Sequence, residues 1–206
     1  SVIADAVTTP YQAILNAGLE AGDVAVFIGV GGVGAFGVQL AHAMGAHVVA
    51  IDVDEARLEN MTELGAETVL CSTGDDRAVR NKLRAWAKAE GYRSFGWKIF
   101  ETSGHPGGQS LAFALLGYDG HIGVVGYTRE PVSIRMSNLM AFDATMRGTW
   151  GCLPEHYPEV LRYVLRGDVQ IKGLVDPRPM SDINDVFGAL HRHELKRRPV
   201  LIPDFS

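Results

Sequence analysis

The sequence predicts an α/β fold, a doubly wound parallel sheet of six strands with helices on both faces. Two observations carry this prediction. Short apolar, β-branched runs alternate with longer segments of helical period, and glycines stand at most of the transitions between them. The chain has 206 residues, of which 47% are hydrophobic, which is enough to bury one substantial core. We therefore expect residues 1–206 to form a single domain.

Three strands and three helices are predicted in the first half of the chain. Val24–Ile28 is predicted to be a central strand, because a wholly apolar run that ends at a glycine is typical of a strand buried on both faces. Two of the helical segments also end at a glycine, which favours helix termination. The other predicted strands are His47–Asp52 and Glu67–Leu70, and the predicted helices are Tyr11–Leu19, Val33–Met44 and Glu55–Leu64.

The second half repeats this alternation, so we expect the same parallel sheet to continue through it. A last apolar run, Pro199–Ile202, predicts one more strand. The other predicted strands are Trp97–Glu101, Gly120–Val125 and one around Met146–Trp150, and the predicted helices are Ala78–Lys88, Gly107–Leu116, Pro158–Arg166 and Ile183–His191.

Charge and composition argue against several classes of function. A net charge of -5 and a pI near 5.8 give no indication of the positively charged surface that binds DNA, RNA or an anionic membrane. The longest apolar runs are strand-length, so we expect no segment to span a bilayer. Cys71 and Cys152 stand far apart, and the first five residues do not resemble a signal peptide. We therefore expect a cytoplasmic protein with two reduced thiols.

The motif that carries chemistry is a glycine-rich turn, Gly29-Val30-Gly31-Gly32-Val33-Gly34, between a predicted strand and a predicted helix. In this pattern Gly29 allows a tight turn, and Gly31 lets the backbone approach a pyrophosphate. Gly34 permits the helix to lie close to the strand. The helix that begins near Gly32 and Val33 offers free N–H groups to phosphate. The turn therefore predicts a Rossmann domain that binds a dinucleotide.

Asp52 ends the second predicted strand, where a carboxylate can accept hydrogen bonds from the adenosine ribose. A 2′-phosphate at that position would be repelled, and Asp54 and Glu55 add to the negative field. Asp52 therefore predicts NAD as the cofactor. Arg57 is the nearby cation, and from the sequence it either contacts the ribose edge or lies on the helix surface.

Several segments together resemble the cofactor-binding half of the medium-chain, zinc-dependent alcohol dehydrogenase superfamily. The resemblance covers nearly the whole chain, and it implies hydride transfer from an alcohol to the nicotinamide of NAD. Members of this superfamily also carry a GroES-like catalytic domain with a Gly-His-Glu motif, which is absent from this sequence. We therefore expect this chain by itself to bind NAD but not to turn over substrate. The segments are Thr8-Thr9-Pro10-Tyr11, the glycine turn, Asp52, Phe100-Glu101-Thr102-Ser103-Gly104 and Val124-Val125-Gly126-Tyr127.

The resemblance also implies roles for individual residues. Asp5 falls where the cofactor domain supplies a ligand to the catalytic zinc, although an aspartate there also suits a helix N-cap. Thr9 would lie under the nicotinamide as a catalytic residue, or serve as a capping hydroxyl. Arg198 would bind the pyrophosphate, or belong to a charged surface run. The nicotinamide half-site would be lined by Ser103, Gly104, Val125, Gly126 and Tyr127, with backbone bonds to the carboxamide from Thr149 and Gly151.

A homodimer is a further expectation from the resemblance. Relatives in the superfamily pair their sheets edge to edge, and Val132–Met136 alternates apolar and polar residues as an exposed edge strand does. Pro131 would mark the start of that strand. The alternative is a protected edge or a surface loop.

The substrate is predicted less narrowly than the cofactor. Leu139-Met140-Ala141-Phe142 and Trp150-Gly151-Cys152-Leu153-Pro154-Glu155 resemble the 6-hydroxycyclohex-1-ene-1-carbonyl-CoA dehydrogenases, which implies a cyclic hydroxyacyl-CoA substrate. An unspecified secondary alcohol is the alternative within the same superfamily. Two other functions remain open, a free-standing dinucleotide sensor and a zinc-free quinone or enoyl reductase that uses NADPH.

Overall fold

Six parallel strands form the central sheet of the computed structural model, which describes residues 2–72, 74–192 and 194–204. The strands are β1 (Val24–Ile28), β2 (His47–Asp52), β3 (Thr68–Cys71), β4 (Lys98–Glu101), β5 (His121–Val124) and β6 (Thr145–Gly148). Their order across the sheet is β3-β2-β1-β4-β5-β6. This is the doubly wound arrangement that the sequence predicts.

Helices cover both faces of this sheet, as predicted. The helices are α1 (Thr8–Asn16), α2 (Gly34–Ala43), α3 (Glu55–Leu58), α4 (Asp76–Ala89), α5 (Pro106–Leu115), α6 (Ser137–Ala141), α7 (Tyr157–Arg166) and α8 (Ile183–His191). Side chains of α1, α2 and α7 form one buried core against the sheet, and side chains of α4 and α5 form the other. Within the described ranges, no helix has both the length and the apolar character needed to cross a membrane.

The innermost strand, β1, is buried along its whole length between β2 and β4. Phe27 on β1 stacks on Phe100 of β4 with ring centroids 4.7 Å apart, and both side chains are fully buried. Burying one such side chain stabilises the fold by roughly 1.5–3 kcal/mol. The apolar run and its bounding glycine are therefore explained by a position in the middle of the sheet.

The strand order reverses direction at β1, since the chain passes from β1 to β2 on one side and later returns to β4 on the other. Connections then leave the sheet toward opposite faces, and a crevice opens at the carboxyl ends of β1 and β4. The glycine turn follows β1 at this edge, Asp52 ends β2 and Glu101 ends β4. The fold thus gathers the predicted binding residues at one edge.

The prediction of a helix over Glu55–Leu64 is wrong beyond its first turn. Helix α3 ends at Leu58, and the chain continues to Gly65 in turns whose N–H groups bond three or four residues back, as Met61 does to Leu58. Leu58 and Met61 are nevertheless buried. Apolar residues three apart can face the core from successive turns as well as from a helix, which explains the error.

Val132–Met136 forms no strand within the chain, so the expectation of an edge strand there is also wrong for the single chain. The segment joins β5 to α6 as a loop, and β6 occupies the edge of the sheet instead. Its side chains do alternate as predicted, because Val132 and Ile134 are half-buried while Ser133 and Arg135 are exposed.

A second, smaller sheet lies in the C-terminal part of the chain, where β7 (Val175–Pro179) pairs in parallel with β8 (Arg198–Ile202). The sequence predicts β8, but it does not predict that this strand pairs outside the main sheet. The Arg198 N–H donates to the carbonyl of Leu174, which anchors the start of β8. This pairing determines where the Arg198 side chain emerges.

Candidate functional site

Two glycines close the turn between β1 and α2. Gly29 has a φ of +87°, and a Cβ at this position would lie 2.4 Å from the Cα of Ser103. A Cβ on Gly34 would lie 2.0 Å from the carbonyl oxygen of Gly29. Thr102 completes the closure, because its hydroxyl donates to that same carbonyl at 2.7 Å. The first and third glycines of the motif therefore have the structural roles that the sequence predicts.

The middle of the turn faces open space. A Cβ on Gly31 would meet only the Nη1 atom of Arg57, at 3.9 Å. A Cβ on Gly32 would lie 3.4 Å from the Cβ of Arg198, in the aliphatic part of that side chain. Helix α2 starts directly afterwards, with Val33 at its N-cap and no side-chain cap there. Exposed backbone next to an uncapped helix N-terminus is what binding of a pyrophosphate requires.

Asp52 is 5% exposed and lies next to this turn. Its Oδ2 accepts a hydrogen bond from the Val30 N–H at 2.8 Å, and its Oδ1 accepts one from the Asp54 N–H at 3.0 Å. These bonds hold the carboxylate in one orientation. A carboxylate offers about four acceptor positions, so the ribose hydroxyls can still be accommodated.

Arg57 lies beside this carboxylate. Its Nη1 is 3.9 Å from Asp52 Oδ1, and its Nε is 3.6 Å from Asp54 Oδ2. The sequence left open whether Arg57 contacts the ribose edge or lies on the helix surface. These distances favour a position at the predicted ribose site. A cation there lies between two carboxylates, so it lowers the local negative potential without reversing it.

The loops that follow β4 and β5 meet at the far side of the crevice. A Cβ on Gly104, whose φ is +66°, would lie 2.8 Å from the carbonyl oxygen of Tyr127. A Cβ on Gly126 would lie 2.2 Å from the N atom of Gly104. The structure therefore brings together the predicted nicotinamide residues Ser103, Gly104, Val125, Gly126 and Tyr127. The Tyr127 side chain is 72% exposed, so it lines this region only from the solvent side.

Glu101 is a residue of this region to which the sequence analysis assigns no role. It ends β4 with no exposed surface, and its carboxylate accepts hydrogen bonds from the N–H groups of Ser103 and Gly104 and from the Ser103 hydroxyl. A glutamate that directly follows the apolar residues Ile99 and Phe100 at the end of a strand was the available signal. Buried charges require specific partners, so this position is not accounted for by packing.

Thr149 and Gly151 follow β6 on the same edge. The Thr149 N–H donates to the Val124 carbonyl, and its hydroxyl accepts from the Asn16 amide at 3.0 Å. A ligand bond at Thr149 would therefore use its carbonyl oxygen. Gly151 has no atom within 4 Å of its would-be Cβ, and Trp150 between them is 95% exposed.

Thr9, Asp5 and Arg198 form a connected group beside the glycine turn. The buried Thr9 hydroxyl donates to Asp5 Oδ1 at 3.2 Å, and Arg198 Nη2 donates to Asp5 Oδ2 at 2.6 Å. The Arg198 side chain therefore lies against the glycine turn and bonds to Asp5. Its stem lies on Gly32, with the guanidinium directed toward Asp5.

The described residues do not form a complete zinc site. Both oxygens of Asp5 already accept hydrogen bonds, from Thr9 and Arg198. No cluster of three or more His, Cys, Asp or Glu side chains in the described part of the chain could hold a metal ion. A catalytic zinc normally needs three protein ligands, so Asp5 alone does not satisfy that requirement.

More than half of the chain matches a known protein family. A family model described as zinc-binding dehydrogenase matches residues 32–166, which is more than half of the chain. The chain belongs to the zinc-binding dehydrogenase family. The matched range begins in the glycine turn and includes β2, the loops after β4 and β5, and β6.

Curated members similar to this zinc-binding dehydrogenase chain are longer than it is. An alcohol dehydrogenase of Geobacillus stearothermophilus is 27% identical over 198 residues, covering 95% of this chain and 55% of the relative. The L-threonine 3-dehydrogenase of Bacillus licheniformis is 31% identical over 192 residues, covering 90% of this chain and 53% of the relative. The chain therefore spans about half the length of these relatives.

Solved structures of the same kind superpose on nearly all of the chain. The alcohol dehydrogenase of Aeropyrum pernix matches with a TM-score of 0.84 and 28% identity, over 98% of this chain and 57% of its own. The acetophenone reductase of Geotrichum candidum, solved in complex with NAD, matches with a TM-score of 0.79 and 26% identity, over 97% of this chain and 54% of its own. The six-stranded α/β fold is thus shared with alcohol dehydrogenases.

Proposed function

We propose that this chain is the cofactor-binding half of an NAD-dependent dehydrogenase that oxidises alcohols by hydride transfer. The observation that carries the proposal is the glycine turn, in which Gly29 and Gly34 are closed while Gly31 faces open space. Asp52, buried at the end of the neighbouring strand, lies next to that space. A turn that is only structural would not need an open middle position beside a fixed carboxylate.

Each part of the site has a separate task in this proposal. Bound NAD supplies the hydride acceptor, carbon C4 of its nicotinamide ring. The backbone around Gly31 and the N-terminus of α2 hold the pyrophosphate, and Arg198 supplies a cation on the same side. The loops after β4 and β5, together with Thr9 and the backbone at Thr149 and Gly151, orient the ring. Orientation of this kind converts a collision between two molecules into a reaction within one complex.

NAD in preference to NADP follows from the electrostatics at the ribose. Asp52 is held in place by two backbone N–H groups, so it cannot turn away from a 2′-phosphate. Arg57 lies between Asp52 and Asp54 and is already engaged by both. A phosphate would therefore meet like charge, whereas ribose hydroxyls would find an acceptor.

Titration with reduced cofactors tests this preference. We expect NADH to bind at least about tenfold more tightly than NADPH, because loss of one charge-assisted hydrogen bond alone costs roughly this factor. Nicotinamide fluorescence at fixed ionic strength measures both affinities. Equal or tighter binding of NADPH would contradict the assignment of Asp52 and favour the zinc-free reductase. The Gly31→Val variant is the control, since its side chain would fill the open space, and it should keep native circular dichroism while losing NADH binding.

The catalytic zinc and most of the chemistry belong, in this proposal, to a GroES-like domain of the intact enzyme that this chain does not contain. Asp5, whose carboxylate already accepts bonds from Thr9 and Arg198, would contribute at most one of the three protein ligands that a catalytic zinc needs. We therefore expect the chain by itself to bind cofactor without oxidising alcohols. A free-standing dinucleotide sensor is the alternative consistent with the same site.

The substrate is proposed as a secondary alcohol. The similar proteins include alcohol dehydrogenases and an L-threonine 3-dehydrogenase, which supports an alcohol function as the reacting group. A cyclic hydroxyacyl-CoA remains the narrower prediction, carried by the resemblance of Leu139–Phe142 and Trp150–Glu155. Trp150–Glu155 follows β6 at the carboxyl edge of the sheet, whereas Leu139–Phe142 precedes β6 and bonds to Asp119 before β5, at the opposite edge.

A homodimer through Val132–Met136 remains a prediction. The segment pairs with no strand among the described residues, and Val132 and Ile134 alternate with exposed neighbours as an edge strand would. We expect static light scattering to give twice the mass of one chain, and the Ile134→Pro variant to give a monomer because it removes a backbone donor. A wild-type protein that stays monomeric at high concentration would refute edge pairing.

A further inference from the structure

Glu101 bonds to four of the residues predicted to surround the nicotinamide ring. Its Oε1 accepts hydrogen bonds from the N–H groups of Ser103 at 2.8 Å and Gly104 at 3.2 Å, and also from the Ser103 hydroxyl. Its backbone carbonyl accepts from the N–H groups of Val125 and Gly126, both at 2.9 Å. One residue therefore holds the loop after β4 and the loop after β5 together.

Because Glu101 is buried, its hydrogen bonds have a strong effect on the positions of the two loops. The residue has no exposed surface, and its Oε2 is buried without a hydrogen-bond partner among the described residues. An isolated buried charge is costly, so three donors on Oε1 are needed to keep the carboxylate in place. Without the charge, the N–H groups of Ser103 and Gly104 would lose a strong acceptor that lies on the buried side of their loop.

The two loops also touch directly, so a shift in one is passed to the other. A Cβ on Gly126 would lie 2.6 Å from Glu101 Oε2 and 2.2 Å from the Gly104 N atom. Because close-packed groups of this kind have no free space to absorb a displacement, the Glu101 carboxylate sets the separation of the loops.

We propose that Glu101 is a positioning residue that fixes the nicotinamide half of the cofactor site while leaving the adenosine half unaffected. The inference rests on the proposed binding of NAD. Gly31 and Asp52, which would hold the pyrophosphate and ribose, lie on the β1–β2 side of the crevice and have no hydrogen bond to Glu101 among those described. The loop after β4 does meet the glycine turn at Gly29, but the hydrogen bond there comes from Thr102 and not from Glu101. Loss of the charge should therefore weaken ligands that carry a nicotinamide ring much more than ligands that lack it.

The Glu101→Gln variant tests this inference with two ligands. NADH contains the nicotinamide ring, whereas ADP-ribose contains only the adenosine, the pyrophosphate and the second ribose. We expect the variant to bind NADH about tenfold more weakly and ADP-ribose within about twofold of wild type, because one charge-assisted acceptor is weakened at one end of the site. Isothermal titration calorimetry measures both affinities under the same conditions.

Glu67→Gln is the matched control, because Glu67 is also a hydrogen-bonded glutamate but lies outside the crevice, where it binds His47 and Tyr92. It should change neither affinity. If Glu101→Gln weakens both ligands equally or weakens neither, the inference is overturned. If the wild type binds neither ligand, the proposed function itself fails and the inference with it. Should Glu101→Gln not fold, Ser103→Ala removes one donor to the same carboxylate and must weaken NADH selectively for the inference to stand.

Discussion

Replacing Gly34 by alanine is expected to destabilise the protein by at least about 3 kcal/mol, which is the upper end of the usual range for an added core atom. The new Cβ would lie 2.0 Å from the Gly29 carbonyl oxygen and 2.6 Å from Thr102 Oγ1. Neither neighbour is the free end of a flexible side chain, because the carbonyl is backbone and the hydroxyl is bonded to it. The turn would have to open, and α2 would move away from β1.

Thermal unfolding followed by circular dichroism measures this effect, and a protein of this size should lose roughly 10 °C in Tm. Gly31→Ala is the matched control, because its Cβ would meet only Arg57 Nη1 at 3.9 Å. That variant should unfold within about 2 °C of the wild type. If Gly34→Ala were as stable as Gly31→Ala, the close contact between helix and strand would not be needed for folding.

Acid is expected to destabilise the fold through His121, well before most carboxylates titrate. Burial, together with the nearby charges of Lys98 and Arg147, lowers the pKa of His121 to about 4 from its ordinary value of 6.5. In the unfolded chain His121 takes up a proton below about pH 6.5, whereas in the folded chain it stays neutral until about pH 4. Stability from this residue is therefore complete above pH 6.5 and is lost as the pH falls toward 4.

The loss between pH 7 and pH 5 should be about 2 kcal/mol, as measured by urea unfolding at the two pH values. The His121→Gln variant provides the comparison, because glutamine does not titrate and can still bond Thr145, whose hydroxyl lies 2.7 Å from His121 Nδ1. The variant should lose correspondingly less stability over the same range. If both proteins lose stability equally, other groups cause the acid sensitivity and His121 does not.

The central strands could be predicted to the residue. β1 and β2 begin and end where the sequence analysis places them, because a run that is apolar throughout and ends at a turn can be satisfied only by a strand inside the sheet. The doubly wound parallel sheet was predicted from the alternation of strands and helices and from the glycine turn. Both signals are local in the chain, and local signals are what a single sequence carries.

Features that depend on distant contacts could not be predicted. The apolar spacing of Glu55–Leu64 suits a helix, but its buried residues are also satisfied by successive turns, and only the packing against β2 and β3 decides between them. The separate pairing of β7 with β8 joins segments about twenty residues apart, which no local pattern specifies. Which strand a given strand pairs with depends on the whole fold and not on the sequence of either strand alone.

The candidate site likewise contains residues that could be predicted from the sequence and residues that could not. The positions Gly29, Gly34 and Asp52 could be placed because they belong to a motif whose spacing is recognisable along the chain, although their contacts reach residues distant in sequence. The bonds made by the hydroxyl of Thr102 and the backbone carbonyl of Glu101 could not, since each reaches a loop contributed by a different strand. The contact between Asp5 and Arg198 could not be predicted either, although the sequence analysis gave each residue a separate role.

The bond between Asp5 and Arg198 joins residues 193 positions apart. Closing so long a loop costs entropy, and contacts of high sequence separation form late in folding. The pair is also partly exposed, with 63% of the Asp5 side chain open to solvent, so it adds little stability to repay that cost. We therefore expect Asp5 and Arg198 to be joined over the glycine turn after the sheet has assembled, so that the binding site is completed late in folding.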